Sequence, residues 1–410
     1  MIRIAWLMAV ALFLVPGCDK SSDSSVENGM DTGVSQDVKT EDVVEAEIAE
    51  QVDILPRVQL PYSFIDFNTG LAHNYIPYPE ERRTEIILAM AESDARFVCL
   101  QEVWEPEDVA QITAGLSADY PYIHTADTTE QEGDSDPACT EEETSPLLEC
   151  VLEFCSETED LTQCVLDNCG DFFLAVTEGC QTCLAANIAK SIDDIITACL
   201  EGSASFVYEG RNGLLLASRE EFVTTDFKKF DAFLFRRVVL HAEVATEAGP
   251  LHLYCTHLAA NMSEVEYHGR YASYEAEQNV QIISLLNYVK KTAGEAPAVI
   301  MGDMNCGPAM PGVDGNFEGH FAKFATAGFD APYVMSEEPG CTWCESNTMV
   351  EKPGDHIIDH IFTGNFPDFA GTPVANRIYD APVTLTTSEG EVESNLSDHF
   401  GIQVRYPQTL

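Results

Sequence analysis

Three short apolar runs, each ending on a hydrogen-bonding or ionisable side chain, constrain this chain more than any other feature. Phe97-Val98-Cys99-Leu100 leads into Gln101-Glu102, and Leu251-His252-Leu253-Tyr254-Cys255 leads into Thr256-His257. Ala298-Val299-Ile300-Met301 leads into Gly302-Asp303-Met304-Asn305. Runs of this kind read as buried strands, whose ends can deliver carboxylates, amides and imidazoles to one rim of a sheet. Asn68 closes a similar segment that starts at Tyr62, and Asp359 and Asp398-His399 complete the set toward the C-terminus. Hard oxygen ligands beside imidazoles on one rim suit hydrolysis of a phosphate ester.

Between these runs the spacing of apolar residues predicts helices. Ile86, Ile87, Met90 and Ala91 lie on one side of a helix over Glu80 to Ser93, and further helices are predicted over Glu107 to Leu116 and Tyr271 to Lys291. Leu214 to Ala217 and Phe233 to Ala242 read as additional strands. Strand and helix in this order favour a layered α/β protein. With 410 residues, of which 45% are hydrophobic, the chain can bury one large domain with accessories. Its formal net charge of -48 disfavours nucleic acid as a partner, because duplex binding needs Lys and Arg against the phosphates.

Residues 1–18 contain Arg3, an apolar stretch from Ile4 to Leu14, and then Val15-Pro16-Gly17-Cys18. The stretch is too short for an ordinary membrane span and reads as an export signal. Its end resembles a bacterial lipobox, which makes Cys18 the expected lipidation site. The expectation is an exported bacterial lipoprotein, anchored to membrane in the periplasm or at the cell surface, or secreted if not lipidated. Residues 19–56 are rich in Asp, Glu, Ser and Val and read as a solvated tether with a reach of roughly 35 Å.

Residues 126–205 form a second compositional island. They hold Cys139, Cys150, Cys155, Cys164, Cys169, Cys180, Cys183 and Cys199, and 19 Asp and Glu against a single Lys. Helical patterning runs over Leu147 to Phe154, Leu161 to Val165 and Ala185 to Leu200. In an exported chain an even cysteine count points to disulfides. The equal spacing of Cys150/Cys155 and Cys164/Cys169 would let two antiparallel helices be stapled twice, as Cys150 with Cys169 and Cys155 with Cys164. A zinc site at Cys180 and Cys183 is the competing reading. Cys341 and Cys344 are expected to close a small loop, and Cys99, Cys255 and Cys306 to be buried thiols.

Six segments, in order, carry a resemblance to a family. They are Phe67-Asn68-Thr69-Gly70, Leu100-Gln101-Glu102-Val103-Trp104, Thr256-His257-Leu258, Gly302-Asp303-Met304-Asn305, Ile358-Asp359-His360-Ile361-Phe362 and Ser397-Asp398-His399-Phe400. Together they resemble the endonuclease/exonuclease/phosphatase superfamily, over about Tyr62 to Thr125 and Phe206 to Tyr406. The resemblance implies a four-layer sandwich of two mixed β-sheets flanked by helices. The catalytic domain would occupy residues 57–125 and 206–410, with residues 126–205 as an inserted cysteine-rich helical module.

Residue by residue, the resemblance implies that Glu102 is the principal ligand of a catalytic Mg²⁺ or Mn²⁺, with Asn68 and Asp398 on the metal side. Asp303 and Asn305 would orient the attacking water and hold phosphate oxygens. His399, its ring fixed by Asp359, would act as general base or charge stabiliser, and His257 would donate to a phosphate oxygen. Arg211 and Asn212 occupy the place of a substrate-contacting residue in several relatives, although a loop cation paired with acidic neighbours explains Arg211 equally well. Arg270 and Gln278 read as structural. In motif character the chain looks nearest to neutral sphingomyelinases, so the leading expectation is a monomeric Mg²⁺-dependent phosphodiesterase acting on a phospholipid headgroup. A secreted nuclease is the alternative, which would need a basic groove from Lys228, Lys229, Arg236, Arg237 and Arg211. A surface interaction lipoprotein with a vestigial catalytic domain is the third reading.

Overall fold

The computed structural model of the protein describes residues 62–407, apart from 74, 130–135, 156–160, 189, 248, 263–264, 351–353 and 367–369. The N-terminal signal, Cys18 and the acidic tether lie outside the described residues. From the start the chain forms β1 (Tyr62–Leu71), α1 (Pro79–Glu92), β2 (Phe97–Val103), α2 (Pro106–Leu116) and β3 (Tyr122–His124). The acidic island supplies α3 (Glu141–Phe154), α4 (Leu161–Phe173), α5 (Glu178–Ala186) and α6 (Ile192–Glu201). Next come β4 (Leu215–Ser218), β5 (Phe222–Lys229), β6 (Val238–Thr246), β7 (Gly249–His257), α7 (Tyr274–Ala293), β8 (Ala298–Asp303) and α8 (Glu318–Thr326). The last elements are β9 (Asp359–Gly364), β10 (Val374–Ile378), β11 (Val383–Thr387), β12 (Gly390–Ser394) and β13 (Gly401–Tyr406).

Two mixed sheets result. One has the order β10-β13-β1-β2-β4-β3 and the other β5-β6-β7-β8-β9, with β11-β12 as a separate hairpin. β1 runs parallel to β2, and β7 runs parallel to β8. Side chains alternate between the faces of a strand, and that alternation builds the layers. Phe64, Phe97, Leu253, Val299, Ile361 and Val404 meet in the core between the sheets. Their neighbours Ile65, Val98 and Leu100 turn outward onto Ile86 and Met90 of α1 and Ile112 of α2. On the second sheet Tyr254, Ile300 and Phe362 turn outward onto Ile282 and Leu285 of α7 and Phe324 of α8. The expected four-layer sandwich is what forms.

Cys99 and Cys255 belong to the inward-facing set and are joined by a disulfide across the two sheets. This corrects the expectation of two buried thiols. Facing strands bring residues 156 positions apart to a Cα separation of 5.5 Å, within bonding reach of two thiols. Cys306 remains a buried thiol, and Cys341 pairs with Cys344.

The cysteine-rich module is a set of four helices. Cys150–Cys169 and Cys155–Cys164 staple α3 to α4 as the spacing suggested. Cys180 pairs with Cys139 and Cys183 with Cys199, so both thiols of the proposed zinc pair are consumed. The expected helix over Ala185 to Leu200 is two helices. Asn187 ends α5, and the side chain of Ser191 accepts the Asp194 amide to start α6, because short polar side chains compete for backbone groups. Where the module joins the sandwich, the amides of Ala138 and Cys139 donate to the carbonyls of Gly202 and Cys199. Two other boundaries move. α7 starts at the Ser273 cap, and β6 starts at Val238 because Leu234 takes φ 61 and pairs with Phe206 outside the sheet.

A double variant, Cys99→Ala with Cys255→Ala, is expected to lose about 2–4 kcal/mol of stability to denaturant, the usual effect of opening a long loop. Tryptic mapping without reductant should recover the two strands as one linked peptide. Recovery of alkylated Cys99 and Cys255 would contradict the cross-link.

Candidate active site

Extending each inward-facing series by two residues carries it out of the apolar core onto the rim. Asn68 follows Phe64 and Asp66 in this way, His257 follows Leu253 and Cys255, and Asp303 follows Val299 and Met301. Register then sets them side by side, with His257 opposite Asp303 and Asp303 opposite Asp359. Glu102 breaks the alternation. It adopts φ 60 at the end of β2, a conformation costly for a non-glycine residue and characteristic of constrained sites.

Asn68 is the junction. Its Nδ2 donates to Glu102 Oε1 at 3.0 Å and to Asp303 Oδ2 at 3.1 Å, and lies 3.5 Å from His399 Nε2. Asn68 Oδ1 accepts the Gly70 amide. Gly70 has φ +54, and a Cβ there would fall 2.4 Å from Asp398 Oδ1, so the missing side chain lets Asp398 approach. Arg82, fully buried, donates to the carbonyls of Thr69, Gly70, Pro77 and Leu396. It thereby ties the end of β1 to the loop that carries Asp398 and His399.

His399 Nδ1 donates to Asp359 Oδ2 at 2.9 Å, and its Nε2 lies 4.0 Å from Asp303 Oδ2 and 4.0 Å from Asp398 Oδ2. The Thr342 hydroxyl accepts the amides of Ile358 and Asp359, while its carbonyl accepts the Phe400 amide. One loop thus holds both members of the dyad. Opposite, Asn305 Nδ2 contacts His257 Nε2 at 3.2 Å and donates to Leu258 O at 3.1 Å, and the Asn305 amide donates to Asp303 Oδ1. Gln278 donates to the carbonyls of Ala259 and Asn305, a structural role, and Arg270 forms an exposed pair with Asp231.

Burial and mutual repulsion shape the charges. Asp303 is pushed up to about 7 by desolvation and then by Asp359, and Glu102 is raised by desolvation and the charge of Asp398. Burial opposes a charged His399, but Asp359, Asp398 and Asp303 outweigh it and hold the ring well above its ordinary value. His257 is held well below its ordinary value by burial, then by Arg237 and His399, so it is neutral. Crowded, desolvated carboxylates relieve their repulsion by binding a cation. One ligand atom each from Asp303, Asp359 and His399 lies within 4.8 Å of the others. His399 and Asp359 are already joined by a hydrogen bond, so beside this trio the mutually repelling carboxylates Glu102 and Asp398 are the oxygen donors that fit a hard divalent ion.

The rim opens into a cavity of about 300 Å³ whose polar end holds Glu102, His257, Asp303, Asn305 and His399. Trp104, stacked on Tyr208 at 4.7 Å, and Phe235 form an apolar wall. Arg211 and Asn212 do not line it. Arg211 pairs with Glu105 and Glu209, and Asn212 donates to Ala126 O and Thr128 Oγ1. Both therefore serve the loop and not the cavity. Of the five cations considered for a basic groove, Arg237 alone lines the cavity. Lys228 donates to Ser284 O, Lys229 lines a separate pocket, and Arg236 sits 3.8 Å over the Phe206 ring.

Arg237 is the residue that sequence reasoning undervalued. It is buried, and its Nη1 has no hydrogen-bond partner among the described residues. Burial lowers it to about 10 against the pull of Glu102 and Asp303, so it stays cationic at neutral pH. A signal existed in the paired Arg236-Arg237 ahead of an apolar run, but alternation cannot say which of two adjacent cations turns inward.

The sequence matches the Endonuclease/Exonuclease/phosphatase family over residues 67–399. Among solved structures, sphingomyelinase C from Streptomyces griseocarneus is similar over 85% of this chain and 100% of its own, with TM-score 0.52 and 14% identity. A mutant beta toxin from Staphylococcus aureus with bound magnesium ions is similar over 85% of this chain and 100% of its own, with TM-score 0.51 and 13% identity. At these identities the likeness shows the fold. No curated protein matches the sequence.

Raised carboxyl and imidazole values have a definite sign. Without a cation, the favourable protonation of Asp303 and His399 stabilises the fold fully below their ordinary values and is lost as pH rises through the raised ones. Cation binding displaces those protons and strengthens with pH. The gain in melting temperature on adding Mg²⁺ over EDTA should thus be larger near about pH 8 than near about pH 6. A gain independent of pH would contradict this account of the site.

Proposed function

This chain belongs to the endonuclease/exonuclease/phosphatase family of metal-dependent phosphoester hydrolases, and we propose that it hydrolyses a phosphodiester on a zwitterionic phospholipid headgroup of the sphingomyelin type. The observation that carries this reading is the cavity itself, in which a rim of acid and imidazole groups and one buried arginine adjoin an aromatic wall. A polyanion would meet net charge -48 and a single inward cation, whereas a headgroup that carries its own cation meets less repulsion. Of the five cations that the nuclease reading requires for a basic groove, Arg237 alone among the described residues lines the cavity.

In this reading Glu102, with Asn68 and Asp398 beside it, would hold Mg²⁺, which neutralises charge on the phosphate and on the leaving oxygen. The guanidinium of Arg237 and Asn305 Nδ2 donate to the non-bridging phosphate oxygens, and neutral His257 donates to one of them. Asp303 orients the attacking water. His399 Nε2 takes the water proton as the new P–O bond forms, and Asp359 on Nδ1 stabilises the imidazolium. The leaving oxygen departs on the opposite side of phosphorus and takes a proton from solvent water as the P–O bond breaks.

Location belongs to the same proposal. The N-terminal signal exports the chain, and Cys18 anchors it through lipid. Six disulfides among the described residues support an oxidising compartment.

Purified protein with Mg²⁺ should hydrolyse sphingomyelin or phosphatidylcholine, leave plasmid DNA and inositol phosphates intact, and lose activity in EDTA. Glu102→Gln and His399→Ala are expected to lower kcat by about 10²–10⁴-fold. Arg237→Ala should cost on the order of 10²-fold, with partial recovery in Arg237→Lys. DNA cleavage exceeding lipid turnover would overturn the substrate assignment.

A further inference from the structure

The cysteine-rich module contains an apolar groove of about 100 Å³ between its helices. Leu147 and Val151 of α3, Val165 of α4, Leu184 of α5, and Ile195 and Ile196 of α6 form its walls. Such a groove stands out in a segment with 19 acidic side chains and one Lys, because an apolar space that the module's own core leaves unfilled is one that an apolar group can occupy.

Its position says what binds there. Ala185, Ile188 and Val265 line the groove and also line the catalytic cavity. The two spaces therefore share a wall formed by the end of α5 and by the segment after β7. Ala185, Ile188 and Val265 also pack in one cluster with Trp104, Tyr208 and Leu234, the apolar side of the cavity. From the catalytic rim outward, a bound molecule would meet carboxylates and Arg237 first, aromatic rings next, and aliphatic side chains last. That sequence of environments matches an amphiphile with a phosphate near one end.

We propose that the groove binds one aliphatic chain of the substrate, so that the disulfide-stapled module selects substrates by their hydrocarbon portion while the sandwich carries out the hydrolysis. The proposal rests on the phosphodiesterase reading given above and extends it to the part of the substrate remote from phosphorus. The disulfides tie α3 to α4, α5 to the segment before α3, and α5 to α6, and so fix the relative placement of the helices that line the groove.

The test uses water-soluble phosphocholine diesters of increasing chain length with full-length protein and Mg²⁺. For wild type, kcat/KM should rise about three- to fourfold per added methylene until the groove is filled, the increment expected for transferring a CH₂ out of water. Val165→Trp and Ile196→Trp fill the groove at positions that do not line the catalytic cavity. Both should flatten the chain-length dependence and leave turnover of the shortest diester unchanged, which also shows that the variant is folded. Equal slopes in wild type and in a folded variant would overturn the groove assignment and leave the headgroup reading intact. If no diester is hydrolysed, the phosphodiesterase reading fails, and calorimetric binding of dodecylphosphocholine decides the groove separately. Binding by wild type that is lost in the tryptophan variants supports it, and absent or equal binding overturns it.

Discussion

The structure depends on two sheets pressing their inward faces together. Burial of Phe64, Phe97, Leu253, Val299, Ile361 and Val404 excludes water from the space between them, and the exclusion of water sets the chemistry of everything at its edge. Polar residues on the inward-facing series gather where the sheets end, and Asp66, one step deeper, accepts from Gln101. The same dryness raises Asp303, Glu102 and His399 away from their ordinary values. Hydrophobic packing and acid-base chemistry are two results of one arrangement.

Much of that rim was readable in advance. An apolar run followed by Glu, His or Asp announces a strand that stops at a polar edge, and six such stops in order resemble one family. Asn68, His257, Asp303 and Asp359 come together because period-two alternation and strand register leave little freedom. The left-handed turn at Glu102 was not readable, as it depends on neighbours from other strands. Nor was the bond between Cys99 and Cys255. Alternation tells which way each points but not which residue of the opposing sheet it meets. Arg237 was obscured for a related reason, since the positive φ of Leu234 delays β6 and shifts the phase by which inward positions are counted.

Charge is handled by segregation. The chain carries -48 overall, yet two buried guanidiniums do specific work near the rim. Arg82 spends its donors on four backbone carbonyls and holds two loops in place, while Arg237 lines the cavity and has a buried Nη1 without a partner among the described residues. Burial lowers both to about 10, and each keeps its proton at neutral pH. The two differ in whether the fork is already full.

The module is clasped at its base, where the amides of Ala138 and Cys139 meet the carbonyls of Gly202 and Cys199. Entry and exit strands so closely joined make it a cassette. Its outer helices can vary in length without moving the strands beneath, whereas the end of α5, through Ala185 and Ile188, is held in common with the catalytic cavity, so that a change there would reach the chemistry.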